Sequence, residues 1–367
     1  MKEIEAAGLR RHLRPAAGID FCSNDYLGLS THLFVKTKMA EAVTATACGS
    51  TGSRLIRGNA EEFTAIEKRF AAFKGTEAAL YFGSGYAANL GVLETFVGRN
   101  DLVFSDELNH ASIIDGIRLS RAKRFKYPHC DVSRVAQLLH QAPAESQKFL
   151  VTESLFSMDG DFAPLADYAD ICRQTDTALI VDEAHAVGIY GENGSGCVEQ
   201  SGIGSEVFVT INTAGKALGV AGAFVAGPEW AIDYLIQRAR PFIFSTAPPP
   251  PVAAAIDASL NVIHNEPQLR LKLKSNIEFL RGLVREAGLE IGSSQSQIIP
   301  IVLGGNERAC SVAAELQHEG FDVRALRPPT VPDGTARLRI TVNSNHDEPT
   351  IRKFARALER ICSAVCS

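Results

Sequence analysis

Lys216 lies in a stretch whose composition suggests chemistry on an aldehyde. It is the one charged residue of INTAGKALGVAGAF (211–224), and its small neighbours would allow a bulky group to approach. A lysine shielded from water becomes a usable amine nucleophile, which is what a Schiff-base lysine requires. A lysine exposed in an ordinary loop is the competing interpretation, and this stretch alone leaves both open.

Asp182 and His185 end an apolar run in LIVDEAHAVG (179–188), and His110 follows another apolar run in ELNHASIIDG. Each has a structural interpretation as well as a functional one. Asp182 could cap the next helix, and His185 could be a hydrogen-bonded core histidine. Their types nevertheless supply a carboxylate and two imidazoles near the ends of predicted strands.

The letters Asp-Glu-Ala-His also occur in a helicase motif. A nucleic-acid motor of that kind needs a phosphate loop, GxxxxGK[ST], earlier in the chain. Gly215-Lys216 comes later, is followed by Ala217, and has Thr210 in place of the first glycine. The sequence therefore argues against an ATP-dependent motor.

A glycine-rich turn in FGSGYAAN (82–89) has the spacing Gly83-x-Gly85-x-x-Ala88. The turn follows a predicted strand and begins a predicted helix, where free N–H groups and the helix dipole favour a phosphate. A plain tight turn is the alternative. A dinucleotide site would need an acid about 20 residues further on, and Asp101 fits that position poorly, so we expect a phosphate but not NAD.

Short apolar runs alternate with helical patterns from residue 78 onward. The predicted strands lie in AALYF, DLVF, KFLVT, TALIV and VFVTI. Such alternation indicates a mostly parallel sheet with helices on both faces, and ligands bind where the carboxyl ends of the strands meet. That edge would collect the phosphate turn with His110, Ser157, Asp182, His185, Thr213 and Lys216. An amine, a carboxylate, an imidazole and a phosphate cup together match pyridoxal 5′-phosphate.

Four consecutive prolines in STAPPPPVAAAI (245–256) mark a change in organisation, because they cannot continue a helix or a central strand. We expect an N-terminal segment over 1–40, a large domain over 41–250 and a small C-terminal domain over 251–367. A long helix would lead into the small domain. Its predicted elements include strands in QIIPIVLGG, FDVRAL and ARLRITV and a final amphipathic helix with Ile351, Phe354, Leu358, Ile361 and Val365 on one face.

The bulk composition excludes several classes of protein. The chain has a net charge of −5 with 46% hydrophobic and 22% charged residues, which argues against nucleic acid as the main partner. Its eight cysteines show no zinc-like spacing, so we expect no metal site. The start of the chain lacks a secretory signal, and no apolar run reaches membrane-spanning length. We therefore expect a cytoplasmic protein that binds no membrane.

From about Leu9 to the last predicted helix, the sequence resembles the α-oxoamine synthase family of fold-type I PLP enzymes. The resemblance rests on these motifs: FCSNDYLGLS, GSTGSRLIRGN, FGSGYAAN, NHASIIDG, TESLFSMDGDFAPL, VDEAH, TAGKALGVAGA, FIFSTAPPP and RPPTVPDGTARLRIT. It implies an α/β fold-type I PLP-dependent transferase with a mostly parallel central sheet and a smaller C-terminal α/β domain. It also implies pyridoxal 5′-phosphate as the cofactor and a homodimer with shared active sites.

The resemblance assigns roles to individual residues. Lys216 would bind the cofactor covalently and remove the substrate's α-proton, Asp182 would pair with the ring nitrogen, and His185 would hydrogen-bond the ring oxygen. The other cofactor contacts would be His110 stacking on the ring, Gly85 and Tyr86 at the phosphate, Ser157, Thr213, and Thr246 from the partner subunit. The substrate would contact Asn24, Tyr26, Thr330, Arg339, and an N-terminal arginine that maps best to Arg10, with Arg11 or Arg14 as alternatives.

The last motif is closest to family members that condense L-alanine with a pimeloyl thioester in biotin biosynthesis, releasing CO₂ and a free thiol. The acyl group could be carried by coenzyme A or by an acyl carrier protein. Glycine-using members of the family are the alternative. A non-catalytic subunit is disfavoured because such subunits lack the lysine. The sequence departs from the family at Tyr86, where phenylalanine is common, and at Phe63, where many members have histidine.

Overall fold

The computed structural model describes Met1, residues 4–5 and residues 9–366, excluding the side chains of residues 365 and 366. The chain divides into two compact units. The large unit comprises Gly28–Phe156 and Phe162–Pro267, and the small unit comprises Met1–Leu27, Ser157–Asp161 and Gln268–Ser367. This division lies at 267/268, whereas the boundary expected at 250/251 falls at the start of a helix.

A seven-stranded sheet forms the centre of the large unit within the described residues. Its order is β2-β8-β7-β6-β5-β3-β4, and every pair is parallel except the two pairs that β8 makes with β2 and β7. The strands are β2 (Ala78–Phe82), β3 (Leu102–Asp106), β4 (Lys123–Tyr127), β5 (Lys148–Glu153), β6 (Ala178–Asp182), β7 (Val207–Thr213) and β8 (Ala223–Gly227).

Helices cover both faces of this sheet. Alternate residues of one strand belong to two separate core clusters, with Ile180 in one and Leu179 and Val181 in the other. The helices are α1 (Leu33–Ala45), α2 (Glu61–Lys74), α3 (Gly85–Phe96), α4 (Ala111–Ser120), α5 (Val132–His140), α6 (Leu165–Gln174), α7 (Cys197–Gln200), α8 (Glu229–Arg238), α9 (Arg240–Ile243) and α10 (Pro250–Asn265). The predicted α/β architecture is therefore confirmed.

The proline run begins a helix. Pro249 precedes α10, and Pro250 and Pro251 occupy its first turn, where a missing N–H costs nothing. The helix buries 11 of its 16 residues in the large unit. The expected helix into a smaller domain therefore ends before the division, and the next helix begins the C-terminal part of the small unit.

The small unit has two sheets within the described residues. A two-stranded parallel sheet pairs β1 (Ile19–Asp20) with β10 (Phe321–Asp322). A three-stranded antiparallel sheet has the order β11-β12-β9. Its strands are β9 (Ile298–Gly304), β11 (Ala325–Leu326) and β12 (Ala336–Thr341), and the helices of this unit are α11 (Gln268–Glu286), α12 (Asn306–His318) and α13 (Glu348–Cys366).

The prediction of one strand in FDVRAL was wrong, because the segment forms β10 and β11, which join different sheets. The predicted apolar face of α13 is confirmed at Ile351, Phe354, Leu358 and Ile361, which are buried, while the side chain of Val365 is outside the described residues. Among the described residues, no helix combines the length and apolar character that a membrane span requires.

Candidate active site

Lys216 and His185 form the centre of a polar cluster in the large unit. Lys216 Nζ lies 2.8 Å from His185 Nε2. His185 is 5% exposed and Lys216 is half-buried. The two nitrogens are within hydrogen-bonding distance, so the imidazole holds the lysine amine in place. The structure thus brings two of the predicted residues into direct contact.

Hydrogen bonds join the start of the loop that carries Lys216 to its end. Thr213, at the end of β7, donates through Oγ1 to the carbonyl of Gly222 across 3.1 Å, and the N–H of Ala214 donates to the same carbonyl across 2.8 Å. Gly222 has a φ of 81°, and a Cβ there would lie 2.0 Å from the hydroxyl of Tyr81. The loop therefore requires glycine at 222 and holds Lys216 on a fixed backbone.

Asp182, at the end of β6, is 5% exposed, and its carboxylate accepts two hydrogen bonds. Its Oδ1 accepts from the N–H of Ala184 across 2.9 Å, and its Oδ2 accepts from the amide of Asn89 across 2.7 Å. Asn89, on α3, also donates to the hydroxyl of Ser112 across 3.0 Å. Ser112 Oγ in turn lies 2.7 Å from His110 Nδ1. A continuous polar chain thus joins His110 to Asp182.

His110 caps α4, and its ring accepts from the N–H of Ser112. Desolvation of the ring lowers the pKa of His110, the negative charge of Asp182 opposes this, and the positive charge of Lys216 lowers the pKa further. The net direction is downward, so His110 is neutral at pH 7. A neutral imidazole suits stacking on a ring rather than charge pairing.

The N-terminus of α3 supplies a candidate phosphate site. Ser84 caps the helix by accepting from the N–H of Ala87, so Gly85 and Tyr86 occupy the first turn, where N–H groups have no intrahelical acceptor. A Cβ at Gly85 would lie 3.8 Å from Thr213 Oγ1, so this turn adjoins the end of β7. The Tyr86 hydroxyl donates to Asp115, which directs it away from the backbone donors.

A buried ion pair supports the segment after Asp182. Lys74 Nζ lies 2.6 Å from Glu183 Oε2, with side-chain exposures of 2% and 0%. Lys74 also donates to the carbonyl of Ser195, and Glu183 Oε1 accepts from the N–H of Val198. The pair connects α2, the end of β6 and α7. It fixes the residue that separates Asp182 from the turn containing His185.

These residues fit pyridoxal 5′-phosphate by the chemistry of their donors. The buried carboxylate of Asp182 is held by two N–H donors, and a carboxylate is the group that pairs with a protonated ring nitrogen. The amine of Lys216 is beside an imidazole, and free helix N–H groups are available for a phosphate. The large unit therefore holds the predicted residues Gly85, Tyr86, His110, Asp182, His185, Thr213 and Lys216.

The small unit holds all of the predicted substrate residues, together with Ser157. Arg339, on β12, is 8% exposed, and its Nε donates to the carbonyl of Ser157 across 2.5 Å. Its terminal nitrogen donates to the Tyr26 hydroxyl across 3.2 Å, and Tyr26 donates to Asn24 Oδ1 across 3.0 Å. Burial raises the pKa of Tyr26, opposed by Arg339, so the hydroxyl stays protonated. Ser157 thus contributes its carbonyl to Arg339.

Arginines also line a cleft of about 460 Å³ in the small unit. Arg11 donates to Thr330 Oγ1 across 3.1 Å, Arg10 pairs with Glu5, and Arg14 lies 3.4 Å from Gln317. Arg11 is therefore the N-terminal arginine that contacts the predicted substrate threonine. The resemblance maps best to Arg10, with Arg11 and Arg14 as alternatives, and the arginine that meets the acyl substrate stays a prediction.

Thr246 lies in the exposed segment between α9 and α10, outside the hydrogen-bonded cluster of the large unit. The sequence reasoning also left four residues unassigned that support the cluster, namely Asn89, Ser112, Lys74 and Glu183. Asn89 and Glu183 lie within motifs that were noted, FGSGYAAN and VDEAH. Their position gives the signal by which they could have been found: each is a polar residue near predicted site residues, next to a predicted strand or within the first turns of a predicted helix.

The aminotransferase class I and II family model matches residues 16–358. The chain is 45% identical to an 8-amino-7-oxononanoate synthase of Anaeromyxobacter dehalogenans, over 98% of this chain and 94% of that protein. It is 43% identical to the enzyme of the same name from Geobacter sulfurreducens, over 98% and 96%.

Solved structures with the same fold are similar over nearly the whole chain. A serine palmitoyltransferase of Sphingomonas wittichii superposes with a TM-score of 0.92 at 30% identity, covering 95% of this chain and 88% of that one. The crystal structure of an 8-amino-7-oxononanoate synthase from Francisella tularensis superposes with a TM-score of 0.82 at 32% identity, covering 95% and 98%.

Proposed function

Because the chain belongs to the aminotransferase class I and II family, we propose that it is a pyridoxal 5′-phosphate-dependent acyltransferase of biotin biosynthesis. It would condense L-alanine with a pimeloyl thioester to give 8-amino-7-oxononanoate, CO₂ and a free thiol. The predicted resemblance, cofactor and enzyme class agree with the relatives of that name. The observation that carries the proposal is the contact between Lys216 and His185, together with the Asp182 carboxylate that accepts two hydrogen bonds.

The cofactor, when bound, would withdraw electrons from the α-carbon of the amino acid and so allow loss of its proton and of CO₂. Lys216 Nζ would provide the covalent attachment and then remove and return the α-proton. Asp182 Oδ2 would keep the ring nitrogen protonated, since a carboxylate held by Asn89 and Ala184 is fixed in position. His185 would orient the ring oxygen and, 2.8 Å from Lys216 Nζ, hold the lysine amine in position.

The remaining residues would bind and orient. The N–H groups of Gly85 and Tyr86 would donate to the phosphate, with Thr213 and Ser157 beside the cofactor and His110 stacked on the ring. Thr246 would contact the phosphate in the partner subunit of a cytoplasmic homodimer. Arg339 would bind the alanine carboxylate through two parallel donors, and Thr330, Asn24 and an N-terminal arginine would contact the acyl substrate.

The first test is the covalent attachment. Wild-type protein incubated with pyridoxal 5′-phosphate and reduced with borohydride should carry the adduct on the peptide containing Lys216. The Lys216→Ala variant should lose the adduct and lose at least ~10²-fold in turnover. Lys68→Ala, a substitution on α2, is the control and should retain both. An adduct of unchanged yield on Lys216→Ala would refute the assignment.

The second test is the product. L-alanine, glycine and L-serine should be offered in turn with pimeloyl, acetyl and palmitoyl thioesters, and the products identified by mass spectrometry. The proposal predicts 8-amino-7-oxononanoate from alanine and pimeloyl thioester as the fastest reaction. Faster turnover of glycine or serine with another acyl thioester would contradict the proposal and would assign the chain to the condensation of that amino acid with that acyl group.

A further inference from the structure

Asp106, His129 and Cys130 form a second polar cluster in the large unit, and none of them takes part in the proposed reaction. Asp106 is the last residue of β3, and the other two follow the neighbouring parallel strand β4, whose Tyr127 pairs with Asp106. We propose that these three side chains form a binding site for a zinc ion, with Asp106 Oδ1, His129 Nδ1 and Cys130 Sγ as ligands.

The three side chains lie close enough to share one ion after the thiol of Cys130 reorients. His129 Nδ1 lies 3.1 Å from Asp106 Oδ1, Cys130 Sγ lies 3.8 Å from Nδ1 and 3.7 Å from Nε2, and the ligand atoms lie within 4.8 Å of one another. Bonds of about 2.0–2.3 Å from zinc to oxygen, nitrogen and sulfur give tetrahedral edges of about 3.3–3.6 Å. Because Sγ lies about equally far from both ring nitrogens, an ion bound at Nδ1 requires the Cys130 side chain to rotate toward Asp106.

Asp106 and His129 are already oriented by other contacts. Asp106 is fully buried, and its carboxylate accepts from the N–H groups of Leu108 and Cys130 across 2.8 and 2.9 Å. The ring of His129 packs edge-on against Phe156 at 4.4 Å. Supports of this kind strengthen metal sites because the ligands lose little freedom on binding.

The backbone of Cys130 adds a second constraint. Its φ of 53° lies in the left-handed region, which a cysteine adopts at some cost, and its N–H bond to Asp106 holds it there. Strained backbone of this kind clusters at functional sites. It makes asparagine, which tolerates the same conformation, the substitution that removes the thiol with least disturbance.

The donor set selects the ion. Thiolate and imidazole favour zinc over magnesium or calcium, which prefer oxygen ligands. On binding, the Cys130 thiol would release its proton to solvent and give up its contact with the carbonyl of Phe162, and the His129 proton would move from Nδ1 to Nε2. His129 is 20% exposed, so an ion can enter from solvent and a water can take the fourth position.

The expectation of no metal site came from spacing along the chain. Asp106 lies on a different strand from His129 and Cys130, so no sequence motif contains all three. The proposed site depends on two adjacent parallel strands ending at the same level, which only the fold provides.

A cobalt titration tests the site, because cobalt–thiolate coordination gives a charge-transfer band in the near ultraviolet. Zinc added afterwards should displace the bound cobalt. Tag-free protein saturated with pyridoxal 5′-phosphate, so that the Lys216 cluster is occupied, should be titrated with Co²⁺ and then with Zn²⁺. We expect the thiolate band to saturate at one equivalent of Co²⁺ and to disappear on addition of Zn²⁺. A titration without a thiolate band would overturn the proposal.

Variants locate the site. Cys130→Asn should abolish the band and weaken zinc binding more than about 100-fold, because even outer-shell substitutions cost 10–100-fold. His129→Asn should weaken zinc binding similarly, while Cys48→Ser, which removes an exposed thiol, should leave both readouts unchanged. Retention of the band by Cys130→Asn, with the circular dichroism of the wild type, would place the metal elsewhere and reject the proposal.

Discussion

The amide of Asn89 donates to the carboxylate of Asp182 across 2.7 Å, and both side chains are buried. The same amide donates to Ser112, whose hydroxyl contacts His110. Asn89 therefore fixes at once the carboxylate proposed to face the cofactor ring nitrogen and the imidazole proposed to stack on the ring. It acts through these two residues, as a positioning residue.

Asn89→Ala should weaken cofactor binding by about 10-fold to 100-fold, because a lost hydrogen bond to a buried charged group costs about 1–3 kcal/mol. The dissociation constant of pyridoxal 5′-phosphate should be measured by fluorescence titration. Asn193→Ala is a matched control, since its amide also donates to a carboxylate across 2.7 Å, but at an exposed position. Equal dissociation constants for Asn89→Ala and wild type would remove Asn89 from the site.

Arg339→Lys should raise KM for L-alanine by about 10-fold to 100-fold, because lysine cannot form two parallel bonds to a carboxylate. The borohydride adduct on Lys216 should be unaffected, which separates substrate binding from cofactor attachment. Steady-state kinetics at saturating acyl thioester measures the effect. Arg337→Lys, on the same strand and bonded to Asp159, is the control and should change KM less. A larger effect at residue 337 would reverse the assignment.

The central sheet was predictable from sequence because its parallel strands are buried on both faces and read as continuous apolar runs. TALIV is one such strand, while AALYF is an edge strand that pairs antiparallel with β8 and is still mostly buried. The edge strand β4, KRFKY, was missed because its charged residues break the apolar run that identified the others. FDVRAL was read as one strand because nothing in its composition shows that its two ends join different sheets.

The site was predictable to the extent that its residues lie at strand ends. Asp182, Thr213 and Lys216 follow buried strands, so one edge collects them. Asn89 and Asp182 are 93 residues apart, and Lys74 and Glu183 are 109 apart, and no local pattern indicates such pairs. Sequence reasoning found the residues with reactive groups and missed those that hold them in place.

Lys74→Met should destabilise the protein by about 3–5 kcal/mol, because it leaves the buried carboxylate of Glu183 without its cation. Urea denaturation followed by circular dichroism measures the loss. Lys38→Met removes a cation from the exposed pair with Glu41, 2.7 Å apart, and should change stability by less than about 1 kcal/mol. Similar losses in the two variants would show that the burial of Lys74 and Glu183 adds nothing to their coupling.

His346 should make the protein less stable in mild acid. Burial lowers its pKa, Asp20 and Asp347 oppose this, and Lys272 adds to it. Its Nδ1 accepts from the N–H of Asn343 across 3.4 Å, and its Nε2 lies 2.7 Å from the carbonyl of Asp20, so the neutral ring is the form that fits. The folded protein therefore binds fewer protons than the unfolded chain as pH falls through about 6.5, and unfolding is favoured there.

Thermal unfolding between pH 7.5 and 5, a range chosen to span about 6.5, should show a falling midpoint in the wild type and a shallower fall in His346→Gln, which cannot titrate. His110, whose pKa is also lowered, accounts for part of the slope that remains. His140→Gln, at the exposed end of α5, is the control and should keep the wild-type slope. If His346→Gln lost stability with the full wild-type slope, protonation of this buried ring would not contribute to acid unfolding.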